Sequence, residues 1–360
     1  MTEPYRTVRA AFSTMRRDGP RRHRDIAKIL SISEAELLAA HCDEIPHQEK
    51  ATLEATRLNS QWSEQISTIH TFGRVMALTR NASCVHEKFG IYHPVGQTGE
   101  IGIVLGEAID LRIFYKLWHL GFAVIEQTAK GLQRSLQYFD RCGVAVHKIF
   151  LLPDSQIDAF IDFKNRFSDV DQSPQISVTS RANSKAERAD CDIDVAGLQR
   201  DWSAMHDTHD FFLMLKKYGA SRLQAFRLVG VGYAQAVRPG ECRRIISQAS
   251  DKKVPTMVFV SNPGTIQIHS GVLSNISVTK GWLNVMDADF NLHLRQDQIA
   301  SAWVVRKPTV DGIVTSLELF DHTGELILML FGLRKPGFPE NIQWRALLDQ
   351  LFTSSRLCAA

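Results

Sequence analysis

At 360 residues the chain is long enough for two domains of ordinary size, each able to bury its own core. Hydrophobic residues make up 44% and charged residues 22%, which excludes a disordered or fibrous chain. With 42 basic against 39 acidic residues, the charge balance is too even to argue for a nucleic-acid or membrane-surface partner.

In chain order, Thr7–Arg17 places Val8, Phe12 and Met15 on one helical face, stopped by Gly19-Pro20. Asp25–Leu38 has the pattern of a helix-turn-helix hairpin turning near Ser31. A DNA-binding regulator is therefore a distant third reading of the chain. The basic flanking is modest, and the Arg-x-x-Ala-x-x-Leu pattern of Arg24–Leu30 recurs at Arg222–Leu228, as a duplicated scaffold element would. From Phe72 the texture changes to short segments rich in Val, Ile, Phe and Tyr, which predict antiparallel strands. These are Val75–Thr79, Val85–Tyr92, Ile101–Leu105, Ala123–Glu126, Ser135–Phe139 and Val146–Leu151. Between them Asp110–His119 reads as a helix, and Asp154–Arg166 as a further one with Asp154 or Ser155 as its cap. Residues 168–192 are polar, free of aromatics after Phe167, and read as a linker.

Trp202–Arg222 reads as a helix with two stripes. Phe211, Met214, Leu215 and Tyr218 form a core-facing face, and Gly219 ends the helix. Met205, His209, Phe212 and Lys216 form a second stripe that faces something other than water, either a second protein layer or a flat apolar ligand. The six cysteines, at 42, 84, 142, 191, 242 and 358, form no Cys-x-x-Cys pair, so neither zinc nor a disulfide framework is indicated. The longest apolar run, Leu326–Leu333, is far short of a bilayer span, and the N-terminus lacks the apolar core of a signal peptide. The cytoplasm is the simplest compartment.

The first half recurs. Met76 and Met257, Asn81 and Asn262, Gly90 and Gly271, Leu111 and Leu292, Val124 and Val305, and Gly143 and Gly324 all stand 181 residues apart. The predicted fold is α+β, a tandem duplication of a module with a large antiparallel sheet and flanking helices. Its parts are an N-terminal copy at 1–167, the linker at 168–192 and a C-terminal copy at 193–360. The copies differ at chosen polar positions: Arg112 is matched by His293, Phe114 by Arg295, and Glu126 by Lys307. The Met205, His209, Phe212 set has no counterpart in the first copy, so one composite site is expected rather than two equivalent ones. Residue by residue, bland alternatives stay open. His209 fits a ligand or a satisfied structural histidine, and His206 a surface residue or an alternative ligand. Phe114 and Phe212 fit pocket or core, Arg112 a site residue or a partner of Glu107 or Asp110, and Lys307 a site residue or a loop neighbour of Arg306.

A set of blocks carries a resemblance: Asp207-Thr-His-Asp-Phe-Phe, Ile109-Asp-Leu-Arg-Ile-Phe, Lys280-Gly-Trp-Leu-Asn, Trp303-Val-Val-Arg-Lys-Pro-Thr-x-Asp-Gly and Thr315-Ser-Leu-Glu-Leu-Phe. Together they resemble the bacterial haem-utilisation, or hemin-degrading factor, family of HemS, ChuS and PhuS type, over nearly the whole chain. The resemblance implies a cytoplasmic protein that binds haem b and degrades it oxidatively to release iron, using an external electron donor with dioxygen or peroxide. The alternative it implies is a non-catalytic chaperone taking haem from an importer to a separate haem oxygenase. Carried onto this sequence, His209 is the axial ligand of the iron, and Arg112 is the distal and catalytic residue. Phe114 and Phe212 line the pocket, and Arg222, Lys307 and Arg334 hold the haem carboxylates. Some relatives carry Tyr where this chain has Phe331, so no hydroxyl contact is carried over there. The chemistry suits these types: a neutral imidazole for iron, apolar walls for a flat macrocycle, and Arg or Lys for propionates.

Overall fold

A computed structural model describes residues 4–19, 21–42, 52–93, 95–180, 187–335 and 337–356. Pro20, Cys358 and the stretch 181–186 of the expected linker lie outside the described residues. Among the described residues the strands form two large antiparallel sheets of nine strands each, with helices packed on them, and the fold is α+β as expected. The chain divides into two compact units, and each incorporates a short piece from the opposite half of the sequence. Unit 1 comprises residues 1–80, 87–182 and 262–267; unit 2 comprises 81–86, 183–261 and 268–360.

In the first half the elements run α1 (Pro4–Arg17), α2 (His23–Ile29), α3 (Glu34–Ala39), β1 (Leu53–Leu58), α4 (Trp62–Thr68), β2 (Val75–Arg80), β3 (Cys84–Gly90), β4 (Val95–Thr98), β5 (Ile101–Leu105), β6 (Asp110–Phe114), β7 (Leu120–Thr128), β8 (Gly131–Phe139), β9 (Ala145–Leu151) and α5 (Ile157–Phe167). Within unit 1, β1, β7, β8, β9 and β2 pair in that order, and β4, β5 and β6 form a meander. A full capping box starts α3: the Ser33 hydroxyl accepts from the Glu36 amide and the Glu36 carboxylate accepts from the Ser33 amide.

The second half continues with α6 (Val195–Ser203), α7 (Asp210–Tyr218), α8 (Arg222–Val229), β10 (Ala234–Val237), α9 (Glu241–Asp251), β11 (Thr256–Asn262), β12 (Thr265–Gly271), β13 (Ile276–Thr279), β14 (Trp282–Met286), β15 (Phe290–Arg295), β16 (Ser301–Thr309), β17 (Gly312–Phe320), β18 (Leu326–Gly332) and α10 (Ile342–Arg356). Within unit 2, β10, β16, β17, β18 and β11 repeat the five-strand run, and β13, β14 and β15 repeat the meander. The spacing of 181 extends beyond the stretch expected from sequence, from β1 and β10 through β9 and β18. Even the irregularity between Tyr138 and Phe139 returns between Leu319 and Phe320.

Asn81 and Asn262 show why no residue was gained or lost between the copies. The Asn81 side-chain oxygen accepts from the amides of Ser83 (3.0 Å) and Cys84 (2.8 Å), and its nitrogen donates to the carbonyls of Ser261 (3.2 Å) and Ile327 (2.7 Å). Asn262 does the same with Gly264 (3.0 Å), Thr265 (3.0 Å), Arg80 (2.9 Å) and Val146 (2.8 Å). Each side chain satisfies four backbone groups at a turn, so a shift of one residue would leave them unpaired.

Two expectations about local structure are corrected. Asp110–His119 is not a helix but β6 followed by a short 3-10 turn at Tyr115–Leu117. Leu111 and Ile113 are buried while Asp110, Arg112 and Phe114 are half-exposed, which is the period of a strand. Trp202–Arg222 is not one helix either. The chain breaks between Ser203 and Asp210, while the end at Gly219, which takes the left-handed conformation with φ 63°, is as expected. Met205 is buried in the core with Trp202 and Phe211, so it is neither part of an outward stripe nor a wall for a ligand. The core-facing stripe is as expected: Phe211 and Met214 are buried, and Leu215 and Tyr218 pack against the same cluster.

Candidate functional site

The break before α7 is written in short acidic side chains. Asp210, in the first turn of α7, accepts through Oδ2 from the amides of His206 (3.1 Å) and Asp207 (2.9 Å). Asp207 accepts through Oδ1 from the amide of His209 (2.8 Å). Such residues offer the backbone an alternative to the helical ladder, so the chain turns where periodicity alone predicts a continuous helix. His209 becomes the residue that caps α7, and its imidazole is 92% exposed. Nδ1 of that ring lies 2.5 Å from the same Asp207 oxygen. The His209 backbone N–H, with the ring and Arg334, holds the Asp207 carboxyl below its ordinary value despite some burial.

Around this turn unit 2 gathers other groups. The tip of the β16–β17 hairpin meets it, with Val310 donating its amide to the carbonyl of His206 at 3.0 Å. Asp311, at the same tip, lies 3.8 Å from the Arg334 guanidinium and accepts from the amide of Gly337 at 3.1 Å. Phe212 is 71% exposed on the first turn of α7, and Val310 and Phe338 are exposed as well. An open imidazole thus stands within a surface that carries aromatic and aliphatic groups and the Arg334 cation. Isolated exposed apolar residues are ordinary, but several around one open nitrogen ligand mark a candidate for a flat apolar molecule.

Arg222 and Lys307 have partners inside unit 2. Glu318, completely buried, accepts from Arg222 Nε at 2.6 Å and from Lys307 Nζ at 2.9 Å, with the Ser316 hydroxyl donating to it at 2.8 Å. Both cations lie over the ring of Phe211, Lys307 at 4.4 Å and Arg222 at 4.9 Å. Burial pushes the Lys307 ammonium down to about 8 against the pull of Glu318. For Glu318 burial works the other way, and the two cations overcome it to hold the carboxyl at about 2. Two positive charges share one carboxylate, and 26% of the Arg222 side chain remains exposed. The bland reading of Lys307 as a solvated neighbour of Arg306 is excluded by its burial; Arg306 pairs instead with Asp349 at 2.6 Å.

The sequence pairing of Glu126 with Lys307 acquires a structural explanation. In unit 1, Glu126 lies 2.9 Å from His23 Nδ1, and Nε2 of that ring is 2.8 Å from Glu34, which also binds Lys148. Burial alone would lower the pKa of His23, but its hydrogen bonds to Glu126 and Glu34 raise it to about 9. Each unit thus compensates its own charges, with the acid on β7 in one copy and on β17 in the other.

The remaining expected site residues fall in unit 1. Arg112 and Phe114 share the half-exposed face of β6 with Asp110. The Arg112 guanidinium donates to the Asp110 carboxylate and to the Leu111 carbonyl (3.1 Å). Burial raises the pKa of Asp110 even beside that cation. Asp207 and Glu318 were missed in the sequence as site residues. Asp207 had a usable signal, an acid two positions before the candidate ligand. Glu318 had one only once β16 and β17 were set in register. Among the described residues no group of three or more His, Cys, Asp or Glu side chains is arranged to hold a metal ion.

Fold and site together define a duplicated α+β protein whose second copy presents a carboxylate-anchored, solvent-facing histidine with apolar and cationic neighbours. The haemin-degrading HemS/ChuX domain matches residues 31–167 and again 219–351, and the chain belongs to that family. His209 lies in the stretch between the two matches, where the copies have no common pattern. Hemin transport protein HmuS of Yersinia pestis is 35% identical over 329 residues, 91% of this chain and 92% of that protein. The structure is similar to holo-PhuS, a heme-binding protein from Pseudomonas aeruginosa, with a TM-score of 0.90 and 41% identity over 96% of this chain and 98% of that one. It is also similar to the heme degrading enzyme ChuS of Escherichia coli O157:H7, with a TM-score of 0.86 and 33% identity over 96% and 99%.

Proposed function

We propose that this chain binds haem through Nε2 of His209 and degrades the macrocycle oxidatively, releasing its iron. The observation that carries the reading is the His209 imidazole, 92% exposed at the head of α7 with Nδ1 engaged by Asp207, so that Nε2 is the nitrogen turned to an incoming ligand. A macrocycle that brings four nitrogens of its own needs only an axial ligand from the protein, which suits a site with one open histidine. The similarity to a heme-binding protein and to a heme degrading enzyme supports the same ligand class.

In this proposal Phe212 covers part of the apolar face of the disc. Arg334 and the exposed part of Arg222 bind propionates, and Lys307 keeps Glu318 neutralised so that Arg222 retains charge for an incoming carboxylate. Arg112 and Phe114, neighbours on one face of β6, would supply hydrogen-bond donors and an apolar surface to a bound haem. The haem supplies the oxidative chemistry; the protein orients it and places charge around it. Electrons come from an external donor, and the oxidant is dioxygen or peroxide. The proposed setting is the cytoplasm. No described helix is long and apolar enough to cross a membrane.

The exposure of His209 also favours a second reading, a carrier that receives haem from an importer and passes it to a separate oxygenase. One experiment separates them: the haem-loaded protein with a reductant in air, with and without catalase. Loss of the Soret band with iron release and a ring-opened product supports degradation. Persistence of the haem, with rapid transfer to an added oxygenase, supports the carrier.

A further inference from the structure

The turn before α7 contains one contact that its own geometry does not require. The amides of His206, Asp207 and His209 are satisfied by Asp210 and Asp207, and these three hydrogen bonds define the turn. The fourth contact, from the same Asp207 oxygen to His209 Nδ1 at 2.5 Å, adds nothing to the backbone arrangement. As a surface ion pair it would contribute little, because the ring is 92% and the carboxylate 57% exposed. Its chemical effect is larger. A carboxylate that accepts from Nδ1–H fixes the proton on that nitrogen, leaves the lone pair on Nε2 and makes Nε2 a stronger donor.

We propose that Asp207 is a positioning residue that selects Nε2 of His209 as the coordinating atom and strengthens it as a donor to ferric iron. The inference rests on His209 as the iron ligand. Two consequences follow. The ring cannot turn to offer Nδ1 without breaking a hydrogen bond to a carboxylate that the backbone already holds in place. A stronger donor also favours ferric over ferrous iron, so a donor of low potential is needed to reduce the bound haem.

The test compares the parent, Asp207→Asn and His209→Ala, each titrated with haem and checked for fold by far-ultraviolet circular dichroism. Asn keeps an oxygen for the His209 amide, so the turn is retained while the negative charge is removed. The iron–imidazole stretching frequency of the ferrous form and the midpoint potential are then measured. Asp207→Asn is expected to bind haem through His209 with a lower stretching frequency. Its preference for ferric iron should fall about tenfold, a positive shift of about 59 mV for a one-electron couple. An unchanged frequency and potential, in a background where His209→Ala does lose the parental Soret spectrum, overturns this inference and leaves the ligand reading intact. A parental spectrum in His209→Ala overturns the ligand reading and this inference with it.

Discussion

Lys307 on β16 and Glu318 on β17 meet 2.9 Å apart across one hairpin, and both side chains are buried. Breaking a buried, hydrogen-bonded charge pair leaves the survivor without compensation. Glu318→Ala, which strands both Lys307 and Arg222, is therefore expected to destabilise the protein by about 3–5 kcal/mol. Arg222→Ala should cost less, because 26% of that side chain is exposed and Lys307 still neutralises Glu318. Denaturant midpoints of the two variants check the order, and a loss for Arg222→Ala equal to that for Glu318→Ala would contradict it.

The corresponding network in unit 1 predicts a pH dependence. His23 is raised from 6.5 to about 9, so the folded state holds this proton more tightly than the unfolded state does. Its contribution is therefore fully present below pH 6.5 and is lost as pH rises through 9. Lys307 runs the other way, since a pKa lowered to about 8 makes stability rise with pH from there upward. The expected outcome is thus a difference: the stability advantage of the parent over His23→Gln should shrink between pH 6.5 and 9. A constant difference across that range would show that the imidazole does not carry the charge assigned to it.

Phe211 and Phe212 are adjacent in sequence and opposite in environment, 3% and 71% exposed. Phe211→Ala removes a ring packed between Trp202 and Phe226 and should cost about 3–5 kcal/mol. Phe212→Ala should leave stability within about 0.5 kcal/mol, as is usual at an exposed position, while weakening haem binding. Thermal unfolding and haem titration of both variants test this pair. A large stability loss for Phe212→Ala would make it a structural residue.

The parts of the fold that were legible in sequence are those in which an insertion is intolerable. Asn81 and Asn262 hold four backbone groups each, and Gly143 and Gly324 take positive φ at tight turns, 70° and 81°. Such positions lock the spacing of the strands around them, so 181 could be counted along the chain. The helical layer has no such lock, and α2 and α8 recur at a different spacing from the strands. His209 lies in that layer. It stood out as a histidine on a face that periodicity left unassigned, but the turn presenting it depends on side-chain bonds from Asp207 and Asp210 to backbone amides. A count of apolar periods cannot see those bonds. β6 was misread because Asp110–His119 joins a short alternating strand to a 3-10 turn, and together the two give no clean period of either kind. The burial of Glu318 needed the pairing register that sets it opposite Trp303 on β16 and beside the Lys307 ammonium.

Haem binding at His209 is the claim on which the rest of the functional account depends. It is tested most directly by titrating haem into the parent and into His209→Ala and following the Soret band. Saturation near one haem per chain is expected in the parent, and in the variant a shifted Soret maximum with affinity lower by at least about tenfold, the smallest loss usual even when only a ligand's hydrogen-bond partner is removed. The same maximum and the same affinity in both proteins would contradict it.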